Sequence, residues 1–381
     1  MMKERKTLFD YIPHDALSSA IAIFAGLAVG FIVLLISNPA AAAGGFGTIL
    51  TGGFRSMKDF GDVLYGATPI IMTGLSVGFA SRTGLFNIGA SGQFIVGAYV
   101  AILVGVKCTF LPGWSHWIVA ILAAVVAGAL WGLIPGILKA YCNVNEVIAC
   151  IMTNYIGMYM VNYLIKTTCY DNLRNLSQPV VDTAKLPKAW LDKLFRTGMS
   201  SSSANIGIIF AVLVAVLMYI ILEKTVFGYE LKACGFNSEA ARYAGINQRR
   251  GIVFSMVIAG ALAGLGGALL YLAGSGKSIP VVDILAPEGF NGIPVALLGL
   301  NNPIGIIFAG LFVSHLTVGG FYMQLHSFTS EIIDIIIAII IYFSAFSLLI
   351  KGIFQNIQLK RESAAAENLV SDSVAEEERE L

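Results

Sequence analysis

Amide side chains occur inside stretches of this sequence that are otherwise apolar. An amide donates and accepts hydrogen bonds without carrying a charge, so these groups suit a neutral small molecule better than an ion. Phenylalanines precede two of the amides, and their rings can contact a flat apolar face of such a molecule. The candidate path residues are Phe86, Asn87, Gln93, Asn154, Phe290 and Asn291. Hydrogen bonding between helices is the alternative role for each amide.

Patterns typical of catalysis, metal binding and nucleotide binding are missing from the sequence. Residues 274–278 read Gly-Ser-Gly-Lys-Ser, but Tyr271 stands where a phosphate-binding loop requires its first glycine. The four histidines are scattered, and the five cysteines form no CxxC pair. The net charge of +1 gives no electrostatic basis for binding nucleic acid. We therefore expect no catalytic residue, metal or cofactor in this chain.

One polar segment, residues 224–250, lies between two apolar stretches. Asn237 or Ser238 can cap a short helix there, and Gly245 can end it. Such a helix is too polar to span a membrane and too short to form a domain, so it either lies on the membrane surface or docks into a cleft of another protein. The residues concerned are Asn237, Ser238, Glu239, Ala240, Ala241, Arg242, Tyr243 and Gly245.

The chain that positions these residues has the composition of a membrane protein. Of its 381 residues, 57% are hydrophobic and 12% are charged, whereas soluble domains carry about 25% charged residues. Apolar stretches of bilayer length predict an all-α fold of about ten transmembrane helices. The predicted spans are 16–37, 62–80, 86–106, 115–140, 146–165, 205–222, 251–273, 284–300, 304–320 and 331–350. The polar stretch 284–300, which contains Glu288 and Pro294, is expected to be a broken helix facing protein or a water-filled cavity.

Charge and composition predict how the chain is oriented. An even number of spans places both termini on one side of the cell membrane. Basic residues precede the first span, occupy residues 224–250 and follow the last span, which favours the cytosol for all three regions. We predict a cytosolic N-terminus at 1–15, a transmembrane domain at 16–350 and a disordered cytosolic tail at 351–381, because the end of the chain is rich in Ala and Glu and lacks aromatic residues.

Short sequence matches suggest that the two halves of the chain are related. Phe-Asn-Ile-Gly at 86–89 is similar to Phe-Asn-Gly at 290–292, and Asn-Glu-Val-Ile at 145–148 is similar to Ser-Glu-Ile-Ile at 330–333. Five spans in each half would invert the second copy, as in many transporters. We therefore predict two inverted five-helix halves.

Several motifs resemble those of permease subunits of binding-protein-dependent ABC importers of the ribose, branched-chain amino acid and nucleoside type. They stand at residues 68–70 and 74–76, 83–90 and 92–93, 145–148, 239–246 and 289–293. The resemblance covers about residues 60–350 and is closest to the nucleoside branch. Ser91 departs from the pattern, which has an acidic residue before Gly92 and Gln93, and this leaves the local polarity of the path open.

The resemblance implies a transporter of several subunits. Two permeases, identical or homologous, form the path, and cytosolic ATPase subunits bind Mg²⁺ and hydrolyse ATP. An external binding protein or lipoprotein delivers the small-molecule substrate. Residues 235–246 match the ATPase-coupling region of the family, so the resemblance favours docking for this segment. The chain itself is then not an enzyme.

Nucleosides are the expected substrate, because the resemblance is closest to that branch and because amides and aromatic rings suit a neutral base and sugar. A simple sugar of the ribose or galactose type is the alternative, since it would accept the same amides. An ion-coupled secondary transporter is the alternative from another class. It would need a relay of charged residues near mid-membrane and would not need the coupling segment.

Overall fold

The computed structural model describes residues 14–344, 346, 349–350, 352–353 and 356. The predicted N-terminal segment and the predicted tail lie almost entirely outside the described residues. The helices up to residue 344 are α1 (His14–Ser37), α2 (Pro39–Thr51), α3 (Met57–Arg82), α4 (Ala90–Lys107), α5 (Gly113–Cys142), α6 (Glu146–Thr168), α7 (Leu191–Leu194), α8 (Gly207–Lys224), α9 (Val226–Phe236), α10 (Ser238–Tyr243), α11 (Gln248–Tyr271), α12 (Pro287–Leu298), α13 (Pro303–Met323) and α14 (Ser330–Ser344). Strands β1 (Tyr170–Asp171) and β2 (Leu176–Ser177) form one antiparallel hairpin, and β3 (Arg196–Thr197) and β4 (Ser200–Ser201) form another.

The predicted all-α membrane fold is confirmed, and each of the ten predicted spans overlaps with a helix. Eight helices within the described residues are long and apolar enough to cross a membrane: α1, α3, α4, α5, α6, α8, α11 and α13. The other two spans correspond to α12, with 12 residues, and to α14, with 15 residues up to Ser344. Twelve residues extend about 18 Å, so α12 covers little more than half of a hydrocarbon core about 30 Å thick.

Helix α2 is an element that the predicted spans omit. Asn38 accepts a hydrogen bond from the backbone nitrogen of Ala41, and Pro39 occupies the first turn. Both are typical of a helix start. The helix has only 13 residues, so its apolar stretch is shorter than a span. It packs against α1 and α13.

The centre of the bundle is built around α11, which packs against α3, α4 and α5. Glycines of α11 allow this close packing on more than one side of the helix. A Cβ atom added at Gly264 would lie 2.5 Å from the carbonyl oxygen of Ala124 on α5, and one at Gly266 would lie 3.0 Å from Cβ of Met72 on α3. Glycine at these positions lets the helices approach closely. Helix packing therefore explains the glycine-rich stretch, and a role in nucleotide binding is not needed.

Short helices cover one end of the bundle, and the two hairpins cover the other. At one end, here the α10 end, Lys232 Nζ of α9 lies 2.8 Å from Glu223 Oε2 of α8, which ties α9 to the bundle. At the opposite end, here the hairpin end, the backbone nitrogen of Ser177 donates to the carbonyl of Ile279 at 2.9 Å. That bond fixes the segment leading into α12 against the first hairpin.

Candidate functional site: an internal cavity and two surfaces

Asn87 and Gln93 form a closed pair of amides beneath the start of α4. The Asn87 amide nitrogen donates to Gln93 Oε1 at 2.8 Å and to Ser76 Oγ at 2.9 Å, and Gln93 Nε2 donates to Asn87 Oδ1 at 3.2 Å. Both side chains are buried. The prediction that Asn87 lies within the third span is wrong, because a turn with Gly84 at φ +76° precedes α4, which begins at Ala90.

Asn154 of α6 forms hydrogen bonds with the backbone at the start of α4. Its Oδ1 accepts a hydrogen bond from the backbone nitrogen of Gly92 at 2.8 Å, and its Nδ2 donates to the carbonyl of Ile88 at 3.0 Å. Asn154 is buried. Four amides were predicted to line the path. In this conformation three of them form hydrogen bonds within the protein, which agrees with the alternative role of hydrogen bonding between helices. Their contact with a substrate stays a prediction.

The start of α12 meets the start of α4 inside the bundle. Ser91 Oγ donates to the carbonyl of Ala286 at 2.9 Å, and Thr73 Oγ1 donates to the carbonyl of Glu288 at 3.0 Å. Ser91 is fully buried, and its hydroxyl supplies the donor that Ala286 needs. An ionised carboxylate at position 91 would place an acceptor against that carbonyl. The departure from the family pattern at Ser91 therefore has a local structural reason.

The position of Thr73 along α3 shows how deep in the bundle the starts of α4 and α12 meet. Thr73 stands nine residues before Arg82, the last residue of α3, and therefore about 13 Å from the α10 end of that helix. From there α12 runs to the α10 end, where Arg82 Nε donates to the carbonyl of Asn301 at 3.2 Å. The stretch 284–300, predicted to be a broken helix, thus forms a short uninterrupted helix that begins within the bundle. Within it, Phe290 is half-buried and Asn291 is exposed.

A cavity of about 390 Å³ adjoins the start of α12. Its lining combines apolar side chains, such as Ile95 and Met158, with polar groups on three helices and on the loop before α12. The polar lining residues include Asn162, Tyr271, Lys277 and Glu288. Small-molecule sites typically combine a mostly apolar wall with a few polar groups in a volume of this order. The cavity is therefore the candidate substrate site of this chain.

The outer face of α6 carries a row of tyrosines at four-residue spacing. Tyr155, Tyr159 and Tyr163 are 47%, 56% and 68% exposed, and their hydroxyls have no hydrogen-bond partner among the described residues. Tyr155 and Tyr159 lie about 14 and 20 Å along the helix from Glu146, deeper than the aromatic belts at membrane surfaces. The exposed face of α5 is instead aliphatic, with Leu122, Val126, Leu130, Ile134 and Ile137.

An unpaired hydroxyl in hydrocarbon is unfavourable. The aliphatic face of α5 is what lipid requires, whereas the exposed face of α6 mixes the three tyrosines with Ile148, Met152 and Ile156 and is better matched to another protein. Met158 and Asn162 of the same helix line the cavity, so α6 stands between the cavity and this tyrosine face.

The predicted short helix is present as α10. Asn237 Oδ1 accepts hydrogen bonds from the backbone nitrogens of Glu239 at 3.1 Å and Ala240 at 3.0 Å, which makes Asn237 the cap. Gly245 follows with φ +81°, a conformation that favours glycine. Ser238 is the first helical residue and Glu239 lies in the first turn, as the sequence predicts.

The two adjacent alanines of α10 differ in burial. Ala241 is 4% exposed and faces the rest of the chain, whereas Ala240 is exposed. Large side chains surround this exposed face: Phe236 is 87% exposed and Tyr243 is 93% exposed. Arg242 is exposed as well. A small residue flanked by exposed aromatic rings suits a close-fitting protein surface.

Sequence reasoning placed Glu288 in a polar span but did not select Asn162, Tyr271, Lys277 or the α6 tyrosines as site residues. The spacing of the tyrosines was the available signal, because residues four apart share a helix face. Tyr271 gave no such signal, since only the packing of α11 against the segment before α12 brings it to the cavity.

Comparison with known proteins identifies the family. The family described as the permease component of branched-chain amino acid transport systems matches residues 60–345. The chain is 40% identical to the guanosine ABC transporter permease protein NupP of Bacillus subtilis, over 89% of this chain and 96% of that protein. It is 36% identical to the nucleoside ABC transporter permease protein NupB of Lactococcus lactis, over 87% and 91% of the two chains.

A third relative has a different substrate in its name. The chain is 34% identical to the glucose ABC transporter permease protein TsgB13 of Haloferax volcanii, over 85% of each chain. No solved structure matches the chain. The motifs, the membrane-spanning helices and these relatives agree, and the chain belongs to the family of permease components of branched-chain amino acid transport systems.

Proposed function

We propose that this chain is the transmembrane permease subunit of an ATP-driven ABC importer that moves nucleosides across the cell membrane. The observation that carries the substrate assignment is the 40% identity to a guanosine permease over nearly its whole length. The cavity beside α12 supports it, because apolar walls and a few polar groups suit a flat base joined to a hydroxylated sugar. A simple sugar is the second candidate, favoured by the 34% identity to a glucose permease.

The proposed partners occupy three surfaces. A cytosolic ATPase docks on the exposed face of α10, around Ala240, and supplies the ATP and Mg²⁺ chemistry, so this chain needs no cofactor of its own. A second permease, identical or homologous, faces the tyrosine row of α6 across the path. An external binding protein or lipoprotein delivers substrate at the hairpin end, where the segment leading into α12 is accessible.

The structure suggests how movement of α10 reaches the cavity. Gly235, at the end of α9, contacts the turn at Gly84. This turn leads through the Asn87–Gln93 pair into α4, whose start contacts α12 beside the cavity. Closure of the ATPase dimer would displace α10 and shift this connected set between two arrangements, which changes the side to which the cavity opens. An ion-coupled carrier would have no use for this connection.

Uptake by cells with and without the gene tests the substrate. We expect deletion to abolish uptake of radiolabelled guanosine and uridine and to leave ribose, glucose and leucine uptake unchanged. Loss of sugar uptake with normal nucleoside uptake would establish the sugar candidate instead. Co-purification of an ATPase subunit tests the transporter class, since a secondary transporter would purify without one.

A further inference from the structure

Glu288 is a carboxylate inside the bundle that lacks a partner within the described residues. It makes no salt bridge and its side chain accepts no hydrogen bond there. Its backbone is nevertheless fixed, because Thr73 Oγ1 donates to the Glu288 carbonyl at 3.0 Å. Glu288 lines the cavity, so a rigid helix start holds an unpaired carboxylate at the cavity wall.

The other polar groups of the cavity do not neutralise Glu288. Both hydrogens of the Asn162 amide are used, since Nδ2 donates to the carbonyl of Val282 at 2.9 Å and to Asp283 Oδ1 at 3.1 Å. Lys277 Nζ lies 5.8 Å from the ring centroid of Tyr65 and forms no ion pair with Glu288. The first turn of α12 favours a negative charge, but it does not supply the donors that the carboxylate oxygens require.

An intramembrane carboxylate without a partner is costly and is generally functional. Its two oxygens accept hydrogen bonds from two donors side by side, and the 2′- and 3′-hydroxyls of ribose present such a pair. The rest of the cavity is mostly apolar and can hold the base. Tyr271 also lines the cavity and its hydroxyl has no partner among the described residues, so it can contact the sugar or the base edge.

We propose that Glu288 is a specificity-determining residue that accepts hydrogen bonds from the ribose 2′- and 3′-hydroxyls of a nucleoside in this cavity. The inference rests on the proposed function and extends it: the permease itself selects ribonucleosides over their dideoxy analogues. An ammonium group would also satisfy the carboxylate, so an amino acid is included among the test compounds.

The test compares E288Q with the wild type and with E331Q in the complete importer, reconstituted in liposomes. Glu331 lies in the first turn of α14 and does not line the cavity, so E331Q is the matched control. Guanosine and 2′,3′-dideoxyguanosine are each supplied at a concentration that saturates the binding protein. Delivery is then equal, and the ratio of the two transport rates reports on the permease.

We expect the wild type and E331Q to transport guanosine at least about tenfold faster than the dideoxy analogue, as loss of hydrogen bonds to a charged group implies. For E288Q we expect the ratio to fall by about fivefold, because the amide has a single accepting oxygen and no charge, and hydrogen bonds to a neutral group are weaker. An unchanged ratio in E288Q would overturn the proposal, as would a wild type that imports both compounds equally. Absence of nucleoside transport in the wild type would instead refute the proposed function.

Two further arms keep the test decisive. If E288Q does not accumulate in the membrane, E288D replaces it, because Asp retains the charge while withdrawing the carboxylate by one methylene. A reduced ratio in E288D supports the proposal, and an unaltered ratio contradicts it. Competition by leucine that disappears in E288Q would show that the carboxylate binds an ammonium group rather than a ribose.

Discussion

Gly235 lies so close to Gly84 that a Cβ atom added to Gly235 would sit 2.6 Å from the backbone nitrogen of Gly84. Gly235 is the penultimate residue of α9, beside the α10 surface, and Gly84 belongs to the turn that leads into α4. Two backbones in direct contact leave no flexible side chain to absorb a displacement. Under the proposed function, this contact would pass a movement of α10 to the start of α4.

Replacing Gly235 with Val should separate ATP hydrolysis from transport. The added side chain would push α9 away from the turn at Gly84, so we expect ATPase subunits to bind while transport falls by about tenfold or more, as overpacking of 1–3 kcal/mol implies. ATP hydrolysis and uptake are measured on the same reconstituted complex. Gly47→Ala is the control, because nothing lies within 4 Å of a Cβ atom there. Normal uptake by G235V would contradict a role of this contact in coupling.

The two alanines of α10 should respond differently to lysine. Ala240 is exposed, so A240K should leave the subunit intact and weaken ATPase co-purification by roughly 5- to 150-fold, the equivalent of 1–3 kcal/mol of overpacking in a fitted cleft. Ala241 is buried, so A241K should instead reduce accumulation of the subunit itself. Ser201→Lys, at an exposed position of the hairpin end, should change neither quantity. Retention of the ATPase by A240K would refute docking at this surface.

The close contact at Gly264 should make that position intolerant of a side chain. G264V would bring its Cβ atom to 2.5 Å from the carbonyl oxygen of Ala124, and we expect a loss of about 1–3 kcal/mol in stability. Thermal unfolding of the purified subunit, followed by fluorescence, measures this loss. At Gly113 the nearest atom to an added Cβ is 3.6 Å away, so G113A should unfold like the wild type. Equal transitions for G264V and the wild type would show that α5 and α11 are not tightly packed in solution.

A substitution in the tyrosine row of α6 should reduce transport, whereas one on the aliphatic face of α5 should not. Tyr159→Leu makes α6 more suitable for lipid and removes a ring from the face assigned to the path. We expect it to lower nucleoside transport by about tenfold, since base–aromatic stacking contributes roughly 1–3 kcal/mol. Leu130→Ala on α5 should have little effect. Equal transport by the two variants would place the α6 face against lipid.

The sequence predicts those helices whose position is determined by their own residues. The spans were predictable because lipid demands long apolar stretches, and α10 was predictable because Asn237 and Gly245 mark its ends. Contacts between distant segments had no such signal. The pairing of Asn87 with Gln93 depends on a turn that places residue 87 outside the helix, and the position of Tyr271 at the cavity depends on the packing of α11.

Helix α2 and the repeat illustrate the same limit. Thirteen residues are too few for a span, so only the packing of α2 on α1 and α13 establishes its place in the fold. The matching stretches at 86–89 and 290–292 do not occupy equivalent positions, since the first precedes α4 and the second lies within α12. The inverted relationship of the two halves stays a prediction.

The tyrosine row also affects the stability of the subunit when it is not part of a complex. A chain inserted without its companion has to place three phenol hydroxyls against acyl chains, whereas the assembled transporter hides or hydrates them. Under the proposed assembly, burial of this face by the second permease therefore stabilises the complex relative to the separated subunit, because pairing removes the cost of hydroxyls in hydrocarbon. We therefore expect the subunit to be less stable in the membrane when the proposed second permease is absent.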